Sequence, residues 1–525
     1  MKRRRRTERT APDSGKGGAA KGVPAGGAGR GVPAGGPGRG VTAGGPSTAA
    51  TTVMALALPL ALLAGAAYSL VLARSFGFNN VDDAYIAFRY GQNLMQGHGL
   101  VFNLGDRVEG YTSFLWTLLL APFTRARADI AWFSIPLGIA ASLGTIAGVA
   151  VHARRLIAKG AHPWLAFAPL ILALDNSHAF WAISGLETSL FTCLLVWSSH
   201  LVIDGVDAAR AALGGLLLGL MVLTRPEGAL FAGALVAWRF TQHDPRARRD
   251  AAVSAAAVAA VVVPHLLWRF AYYGDWVPNT FRVKVSLGYP SLRLGATYLG
   301  NFVMWRNAAP IVALLSLAPP EVRRRQSVYW LLVAPYLAYV FVVGGDWQVA
   351  NRFMVPVLPF LILIAMDALL ALVSLAPARA AALAAWGLAM IAGSYLHAES
   401  YGMVRRNDNV AVEGQRKHFG QWLHGTLEPG SLIAAGPAGA IPYYSHLPCL
   451  DMWGLTDRHI ARVSASDIWP GHTRADPRYV VSRRPILIVG VAGFDSTNLP
   501  PGYMVANETI PEAVRPRDLV LLRVH

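Results

Sequence analysis

Long apolar runs recur along most of the chain and are separated by short polar segments. The eleven runs are 53–73, 130–151, 163–178, 186–203, 210–224, 228–240, 251–272, 296–318, 327–343, 353–374 and 379–397. About 20 apolar residues is the length that a helix needs to cross the hydrocarbon core of a bilayer. The pattern therefore predicts a polytopic α-helical membrane protein with about 11 transmembrane helices in residues 53–397.

Clusters of Lys and Arg predict how these helices are oriented. Three clusters, at 154–159, 239–249 and 323–325, fall in alternate loops between the apolar runs. Cytoplasmic loops collect Lys and Arg, so these loops and the N-terminus are predicted to lie inside the cell. Segment 112–123 is apolar but too short to cross, and it is predicted to lie as an interfacial or re-entrant helix on the outer side.

The two ends of the chain differ from the apolar part. Residues 1–52 are basic and rich in Gly, Pro and Ala, which predicts a disordered cytoplasmic tail. With an odd number of crossings, residues 398–525 lie outside. Their short apolar runs, at 431–435, 486–491 and 519–523, alternate with Gly, Pro and polar stretches, which predicts a small α/β or mixed extracytoplasmic domain.

Composition agrees with a membrane protein and removes several other classes. Hydrophobic residues make up 54% of the chain and charged residues 15%, below the quarter or so that is usual in soluble proteins. Two Cys exclude a disulfide scaffold. The net charge of +17 reflects the basic tail, with ten Lys or Arg against two acids in residues 1–52, and the inner loops. We therefore expect no nucleic-acid partner and a multi-pass protein of the plasma (inner) membrane.

The predicted first outer loop, 75–111, contains two adjacent acids, Asp82 and Asp83. Residues 83–95 have the spacing of an amphipathic helix, and Asp82 is predicted to cap its N-terminus. A purely structural role is one interpretation. Another is general-base chemistry, because neighbouring carboxylates raise the pKa of one of the pair. A third is a divalent cation held by both carboxylates, and the residues leave these alternatives open.

Further polar side chains fall in loops that the orientation places on the same outer face. They are Glu109, Tyr111, Thr112, Ser113, Glu187, Arg225, Glu227, Asn279, Arg282, Lys284, Asp346, Trp347 and Arg352. Cations at a membrane surface can simply extend to lipid headgroups. They are also suited to binding a lipid-linked phosphate, which Arg contacts with two parallel hydrogen bonds. No P-loop and no dinucleotide-binding glycine pattern is present in the sequence.

Residues 82–116, DDAYIAFRYGQNLMQGHGLVFNLGDRVEGYTSFLW, resemble the first outer loop of GT-C membrane glycosyltransferases, in particular the terminal arabinofuranosyltransferases of the mycobacterial cell wall. The matching positions are Asp82–Asp83, Arg89, Asn93–Leu94, Gly105–Glu109 and Thr112–Ser113. Five further segments resemble bacterial members of this group. They are SGLET (184–188), LTRPEG (223–228), GDWVPNTF (274–281), residues 344–353, and AIPYYS with DMWGLTD (440–457).

The resemblance implies an inverting glycosyltransferase with a polyprenyl-phosphate sugar as donor. Asp82 would be the base, beside Asp83, and Arg89 and the polar outer-face residues would bind substrate. The sugar implied is arabinofuranose, and the acceptor an envelope glycan, lipid or protein. Two alternatives remain open: a transporter or flippase for a lipid-linked or anionic substrate, and a non-enzymatic envelope assembly protein.

Overall fold

The computed structural model describes most of the chain beyond its first 47 residues. The described residues are 48–205, 207–284, 289–305, 319–373, 376–400, 408–464, 474–490, 494–495, 497 and 499–524. The chain divides into Met1–Ser47 and Thr48–His525. Most of the predicted tail lies outside the described residues, and the first helix begins at Thr48.

Each of the eleven predicted apolar segments contains a helix. The helices up to residue 400 are α1 (Thr48–Ser75), α2 (Asp82–Met95), α3 (Phe114–Leu120), α4 (Ala131–Ala158), α5 (Ala168–Ala173), α6 (Asn176–Ile183), α7 (Thr188–Ile203), α8 (Ala208–Thr224), α9 (Gly228–Phe240), α10 (Pro245–Tyr273), α11 (Asn279–Lys284), α12 (Tyr289–Trp305), α13 (Pro320–Val343), α14 (Leu358–Leu372) and α15 (Ala376–Ser400). The predicted run 296–318 continues from α12 into residues 306–318, outside the described part.

Within the described residues, five helices are long and apolar enough to cross a membrane, namely α1, α4, α10, α13 and α15. A sixth crossing is formed if α6 and α7, which bend by 116° at their break, count as one span. Helices α8, α9 and α14 are apolar but shorter, as is the segment Pro163–Ala173 that ends in α5. Nearly all of α14 is buried, and a helix surrounded by protein does not have to match the bilayer thickness.

The helices pack closely because small residues lie at their contacts. Helix α8 packs between α7 and α10, and α7 packs on α4. A Cβ atom at Gly215 of α8 would lie 2.4 Å from the Ser254 carbonyl oxygen of α10. Only glycine permits that approach, as is common between membrane helices.

At the end of the bundle with the basic loops, arginines from all three clusters form ion pairs. Arg155 pairs with Asp204 at 2.6 Å, and Arg239 pairs with Asp250 at 2.9 Å. Arg325 holds both oxygens of Asp367 at 2.8 and 2.6 Å. Asp367, an acid within a predicted span, is therefore neutralised at the end of the bundle.

Residues after 408 form the small α/β domain that the sequence predicts. Its helices are α16 (Asp408–Thr426), α17 (Ala440–Ser445) and α18 (Pro477–Ser482), and its strands are β1 (Ile433–Ala435), β2 (Cys449–Asp451), β3 (Leu487–Val489), β4 (Tyr503–Val505) and β5 (Val520–Arg523). The sheet order is β2-β1-β3-β5-β4. β1 pairs in parallel with β2 and β3, and β5 is antiparallel to β3 and β4. Strands β1, β3 and β5 lie in the three short apolar runs of this domain.

Arg89 fastens this C-terminal domain to the loop that follows α2. The residue is 5% exposed. It donates to the carbonyl oxygens of Phe102 and Leu447, both at 2.7 Å, and to that of Pro442. Asn103 continues the contact: its Nδ2 donates to the Cys449 carbonyl oxygen and its Oδ1 accepts from the Cys449 N–H, both at 2.9 Å. The domain is thereby held against the start of α2, where Asp82 and Asp83 lie.

Candidate functional site

Asp82 is the first residue of α2, and its carboxylate accepts hydrogen bonds from the start of a different helix, α17. Both oxygens accept backbone N–H groups at the start of α17: Gly439 at 3.0 Å and Ala440 at 2.9 Å. The residue before α2 is Val81, and α2 has no side-chain cap. The prediction that Asp82 caps its own helix is therefore wrong, because the unpaired N–H groups of α17 lie within its reach.

Glycine is required where α17 meets Asp82. A Cβ atom at residue 439 would lie 1.9 Å from the Asp82 carbonyl oxygen. No side chain fits at that distance, so Gly439 permits the two backbones to approach. Burial raises the pKa of Asp82 above its usual value, and the Arg416 charge and the Ala440 N–H oppose the rise.

Asp83 has a different environment from its neighbour. One of its oxygens accepts a hydrogen bond from Gln348 Nε2 at 2.9 Å. The other has no hydrogen-bond partner among the residues that the structure describes. Asp83 lines two cavities, and Trp347 is the second residue that both share.

The first cavity, the cationic chamber, has a volume of about 410 Å³ and lies within the helical bundle. Its charged lining residues are Asp83, Glu187, Arg225, Glu227, Arg269, Lys284, Asp346 and Arg352. Its apolar lining includes Leu230 of α9, Phe281 of α11, and Tyr339 and Val343 of α13. The chamber thus offers cations next to an apolar wall.

Three of the four cations in this chamber are paired with carboxylates. Arg225 contacts Glu187 at 3.0 Å and Glu227 at 2.5 Å. Arg352 holds both oxygens of Asp346, at 2.6 and 3.1 Å. Burial alone would raise the pKa of Asp346, but Arg352 and Lys284 hold it below its usual value.

The third pair lies at the edge of the chamber. Arg269, from α10, lies 2.8 Å from the buried carboxylate of Glu109. Burial raises the pKa of Glu109 to about 7, against the opposing charge of Arg269. Glu109 itself stands behind Arg269 and does not line the chamber.

Lys284 is the fourth cation, and no carboxylate pairs with it among the described residues. It is the last residue of α11. Burial and the charge of Arg352 lower its pKa, and Asp83 and Asp346 oppose that effect. Its positive charge is therefore the one in this chamber that an anionic ligand would stabilise most.

The sequence-predicted site residues fall into three groups: those that line the cationic chamber, one that lines the second cavity, and those that line neither. Those that line the cationic chamber are Asp83, Tyr111, Thr112, Glu187, Arg225, Glu227, Lys284, Asp346 and Arg352. Asp82 lines the second cavity instead. Arg89 and Asn279 line neither: Asn279 donates to backbone carbonyls of the C-terminal domain, at 2.8 Å for Gly454 and 3.1 Å for Leu455.

The second cavity, the acidic chamber, has a volume of about 360 Å³ and lies between α2 and the C-terminal domain. Gly436, Trp453 and Gly490, which follow the three parallel strands β1, β2 and β3, line it. Ligands of open α/β sheets bind at this carboxyl edge of the strands. Four acids also line it: Asp82, Asp83, Glu413 and Asp518.

Sequence reasoning missed several residues of the two chambers. Arg269 stands at the end of a span, where the pattern looks the same as that of a lipid-facing cation. Glu413 and Arg416 are one turn apart on α16, a polar helix without a motif. Their i, i+3 spacing shows that they share a face, but nothing in the sequence shows what that face contacts.

The donors around the two aspartates do not suit a cation. Among the described residues, no group of three or more His, Cys, Asp or Glu side chains has the geometry of a metal site. Both Asp82 oxygens already accept backbone N–H groups, and Asp83 accepts an amide N–H. These donors compete with a bridging metal, so no step below is assigned to one.

The sequence is similar to two curated enzymes. It is 29% identical over 329 residues to the terminal β-(1→2)-arabinofuranosyltransferase of Corynebacterium glutamicum, which covers 54% of this chain and 47% of the relative. For the Mycobacterium tuberculosis enzyme of the same name the identity is 29% over 282 residues, or 48% and 43% of the two chains. The chain thus spans about half the length of the curated relatives it matches. Residues 405–520 match a domain of unknown function (DUF8728).

Solved structures share the architecture over more of the chain. ArnT from Cupriavidus metallidurans, bound to undecaprenyl phosphate, has a TM-score of 0.54 at 12% identity and covers 90% of this chain and 98% of its own. The oligosaccharyltransferase AglB from Archaeoglobus fulgidus, in complex with an inhibitory peptide and a dolichol-phosphate, has a TM-score of 0.53 at 11% identity, covering 84% and 70%. The chain therefore has the GT-C fold, a polytopic helical membrane domain with a small C-terminal sheet domain.

Proposed function

We propose that this protein is an inverting glycosyltransferase that moves a sugar from a polyprenyl-phosphate donor to a hydroxyl group of an envelope acceptor. The observation that carries the proposal is the position of Asp83, whose carboxylate lines both the cationic and the acidic chamber. A transferase needs a place where donor and acceptor meet at a base. The two chambers share such a point.

The cationic chamber suits the donor. Its apolar wall can take the first isoprene units, and its cations can take the phosphate. Lys284 is free to contact the phosphate directly, whereas Arg225, Arg269 and Arg352 are held by carboxylates and stabilise negative charge from fixed positions. Preorganised positive charge at a leaving phosphate lowers the barrier of its departure. The ArnT structure contains bound undecaprenyl phosphate and the AglB structure a dolichol-phosphate, which supports this assignment.

The acidic chamber suits the acceptor, and Asp83 is the base that its geometry favours. The sequence resemblance points to Asp82, but both oxygens of Asp82 already accept N–H groups of α17. Asp83 keeps one oxygen without a partner among the described residues, and it faces both chambers. We therefore assign proton removal to Asp83, and to Asp82 the positioning of the C-terminal domain.

The reaction then balances in one displacement. The acceptor oxygen forms a bond to the anomeric carbon as its proton passes to the Asp83 carboxylate. The bond between that carbon and the phosphate oxygen breaks, and its electron pair leaves with the polyprenyl phosphate. Because attack and departure occur on opposite faces of the sugar, the anomeric configuration inverts.

The sequence relatives suggest which sugar to test first, and the charge pattern of the loops supports an assignment of the cellular side. Both curated relatives are named for β-(1→2)-arabinofuranosyl transfer, so arabinofuranose is the first donor sugar to test. The positive-inside pattern supports our proposal that both chambers lie at the outer face of the plasma membrane, with the N-terminus in the cytoplasm.

Transfer by the purified full-length chain tests the proposal. A panel of polyprenyl-phosphate sugars, including the arabinofuranose form, would be offered with oligosaccharide acceptors to the wild type, Asp83→Asn and Asp82→Asn. We expect wild-type transfer from one donor and a loss of at least about a hundredfold in Asp83→Asn, the usual range for a general base. Asp82→Asn should lose stability as well as activity.

Two results would contradict this assignment. Full activity of Asp83→Asn would remove Asp83 as the base. Absence of transfer from every donor, with folded wild-type protein, would reject the glycosyltransferase itself and favour a transporter. Asp207→Asn is a matched control, because Asp207 caps α8 at the opposite end of the bundle.

A further inference from the structure

Glu413 of the acidic chamber has a hydrogen-bonding atom that the fold does not use. It lies on α16, in the C-terminal domain, and the Asp82 backbone N–H donates a hydrogen bond to its carboxylate. Its Oε2 atom is buried and has no hydrogen-bond partner within the described part of the chain. A buried polar atom without a partner is costly, so this atom is suited to a ligand.

The charges around Glu413 come from three elements. On its own helix, the Arg416 guanidinium lies 3.5 Å from Glu413 Oε1. Asp518, just before β5, binds that guanidinium with both oxygens, at 2.9 and 3.0 Å. Asp82 and Asp83 face Glu413 from α2. The single guanidinium of Arg416 therefore partly neutralises three of the lining carboxylates, Asp82, Glu413 and Asp518.

An excess of carboxylates in a confined cavity favours the uptake of a proton. Burial raises the pKa of Glu413 to about 8, Arg416 opposes the rise, and Asp82 adds to it. The pKa of Asp82 moves in the same direction. At neutral pH one carboxyl of this group is therefore a neutral acid, which can donate a hydrogen bond as well as accept one.

We propose that Glu413 binds the acceptor: as a neutral carboxylic acid it donates a hydrogen bond from Oε2 to an oxygen of an uncharged, hydroxyl-bearing glycan in the acidic chamber. This inference rests on the proposed transferase function. It gives the domain of unknown function a role in recognising the acceptor. The surrounding carboxylates accept from the glycan hydroxyls and repel an anionic acceptor.

The test uses full-length protein in detergent, polyprenyl-phosphate arabinofuranose as donor and a synthetic oligo-arabinofuranoside as acceptor, with and without one added phosphate group. Glu413→Ala should raise the acceptor KM about tenfold, because the substitution removes one hydrogen bond and leaves the acceptor oxygen without a partner. The donor KM should stay unchanged. Glu413→Gln, which keeps an N–H donor, should recover most of that loss. The phosphorylated acceptor should be a poor substrate for the wild type.

The pH profile separates binding by Glu413 from a structural role. The wild-type acceptor KM should rise between pH 7 and 9, as the acid loses its proton, and Glu413→Gln should not show that rise. Glu428→Ala is the control, since Glu428 is an exposed acid of the same domain. An acceptor KM equal in the wild type, Glu413→Ala and Glu413→Gln, or a rise with pH that persists in Glu413→Gln, would overturn the inference.

The possible failures are distinguishable. If the wild type transfers no sugar, the proposed function fails and this inference fails with it. If it transfers normally and the Glu413 variants match it, only the role of Glu413 fails. Should Glu413→Ala unfold, as judged by thermal melting, Glu413→Gln and the wild-type pH profile still decide.

Discussion

Replacing Lys284 with Met tests whether the cationic chamber binds the donor phosphate. The change keeps a flexible side chain of similar length and removes the charge. Because no carboxylate pairs with Lys284 among the described residues, an incoming phosphate would find its positive charge uncompensated. The charge on that phosphate grows as the sugar departs, so Lys284 should stabilise the transition state and the product more than the bound donor.

The magnitude follows from the kind of contact. A hydrogen bond to a charged group contributes about 1.5–3 kcal/mol, and two unit charges about 4 Å apart near a protein surface interact by about 4 kcal/mol before desolvation is counted. Taking the hydrogen-bond range, Lys284→Met should lower kcat and weaken inhibition by polyprenyl phosphate by about ten- to a hundredfold. The Tm should stay the same or rise, because a partly buried charge without a partner has been removed.

The assay measures initial transfer rates against donor concentration, the inhibition constant of polyprenyl phosphate, and thermal unfolding in the same detergent. Lys159→Met is the matched control, since Lys159 is exposed at the end of α4, with the basic loops. Wild-type inhibition by polyprenyl phosphate in Lys284→Met would refute the reasoning. A lower Tm of Lys284→Met together with its lower activity would show that Lys284 stabilises the fold.

Two further predictions concern groups outside the chambers. Burial raises the pKa of Glu109 from 4.5 to about 7, so its contribution to stability is complete below about pH 4.5 and is lost as the pH rises through 7. The Tm of the wild type should therefore fall more between pH 4.5 and 7 than the Tm of Glu109→Gln. An equal fall of Tm with pH in the two proteins would contradict the raised pKa of Glu109. Arg89→Lys keeps the charge but cannot reach three carbonyl oxygens, so trypsin should cleave the variant faster than the wild type; unchanged proteolysis would show that Arg89 does not hold the domain in place.

The sequence predicted the helical part of the fold well, because membrane helices can be recognised from their apolar composition alone. All eleven apolar runs contain helices. Lengths were predicted less well, since α5, α8 and α14 are shorter than a bilayer crossing. A window of apolar residues cannot tell whether a helix faces lipid or other helices, and helices enclosed by protein can be short.

The sequence also placed most of one chamber correctly. Polar residues at the same ends of several helices meet in the cationic chamber, as the loop alternation implies. It could not separate a ligand-binding cation from a structural one. Arg89 and Lys284 both lie in polar segments that the sequence assigns to the outer face. Arg89 donates to three backbone carbonyls, whereas Lys284 pairs with no carboxylate among the described residues. That difference depends on contacts between distant parts of the chain.

The two adjacent aspartates show why one chamber could be predicted and the other could not. Consecutive residues of a helix project about 100° apart, so side chains next to each other in sequence face different neighbours. Asp83 turns towards the cationic chamber and towards Gln348, which lies in the loop between α13 and α14. Asp82 turns towards Gly439 and Ala440, more than 350 residues away. The start of α2 is therefore the junction of the two domains. A C-terminal domain displaced by loss of Arg89 would open the acidic chamber while leaving the donor side of Asp83 intact, so such a variant should keep its donor KM and lose acceptor binding.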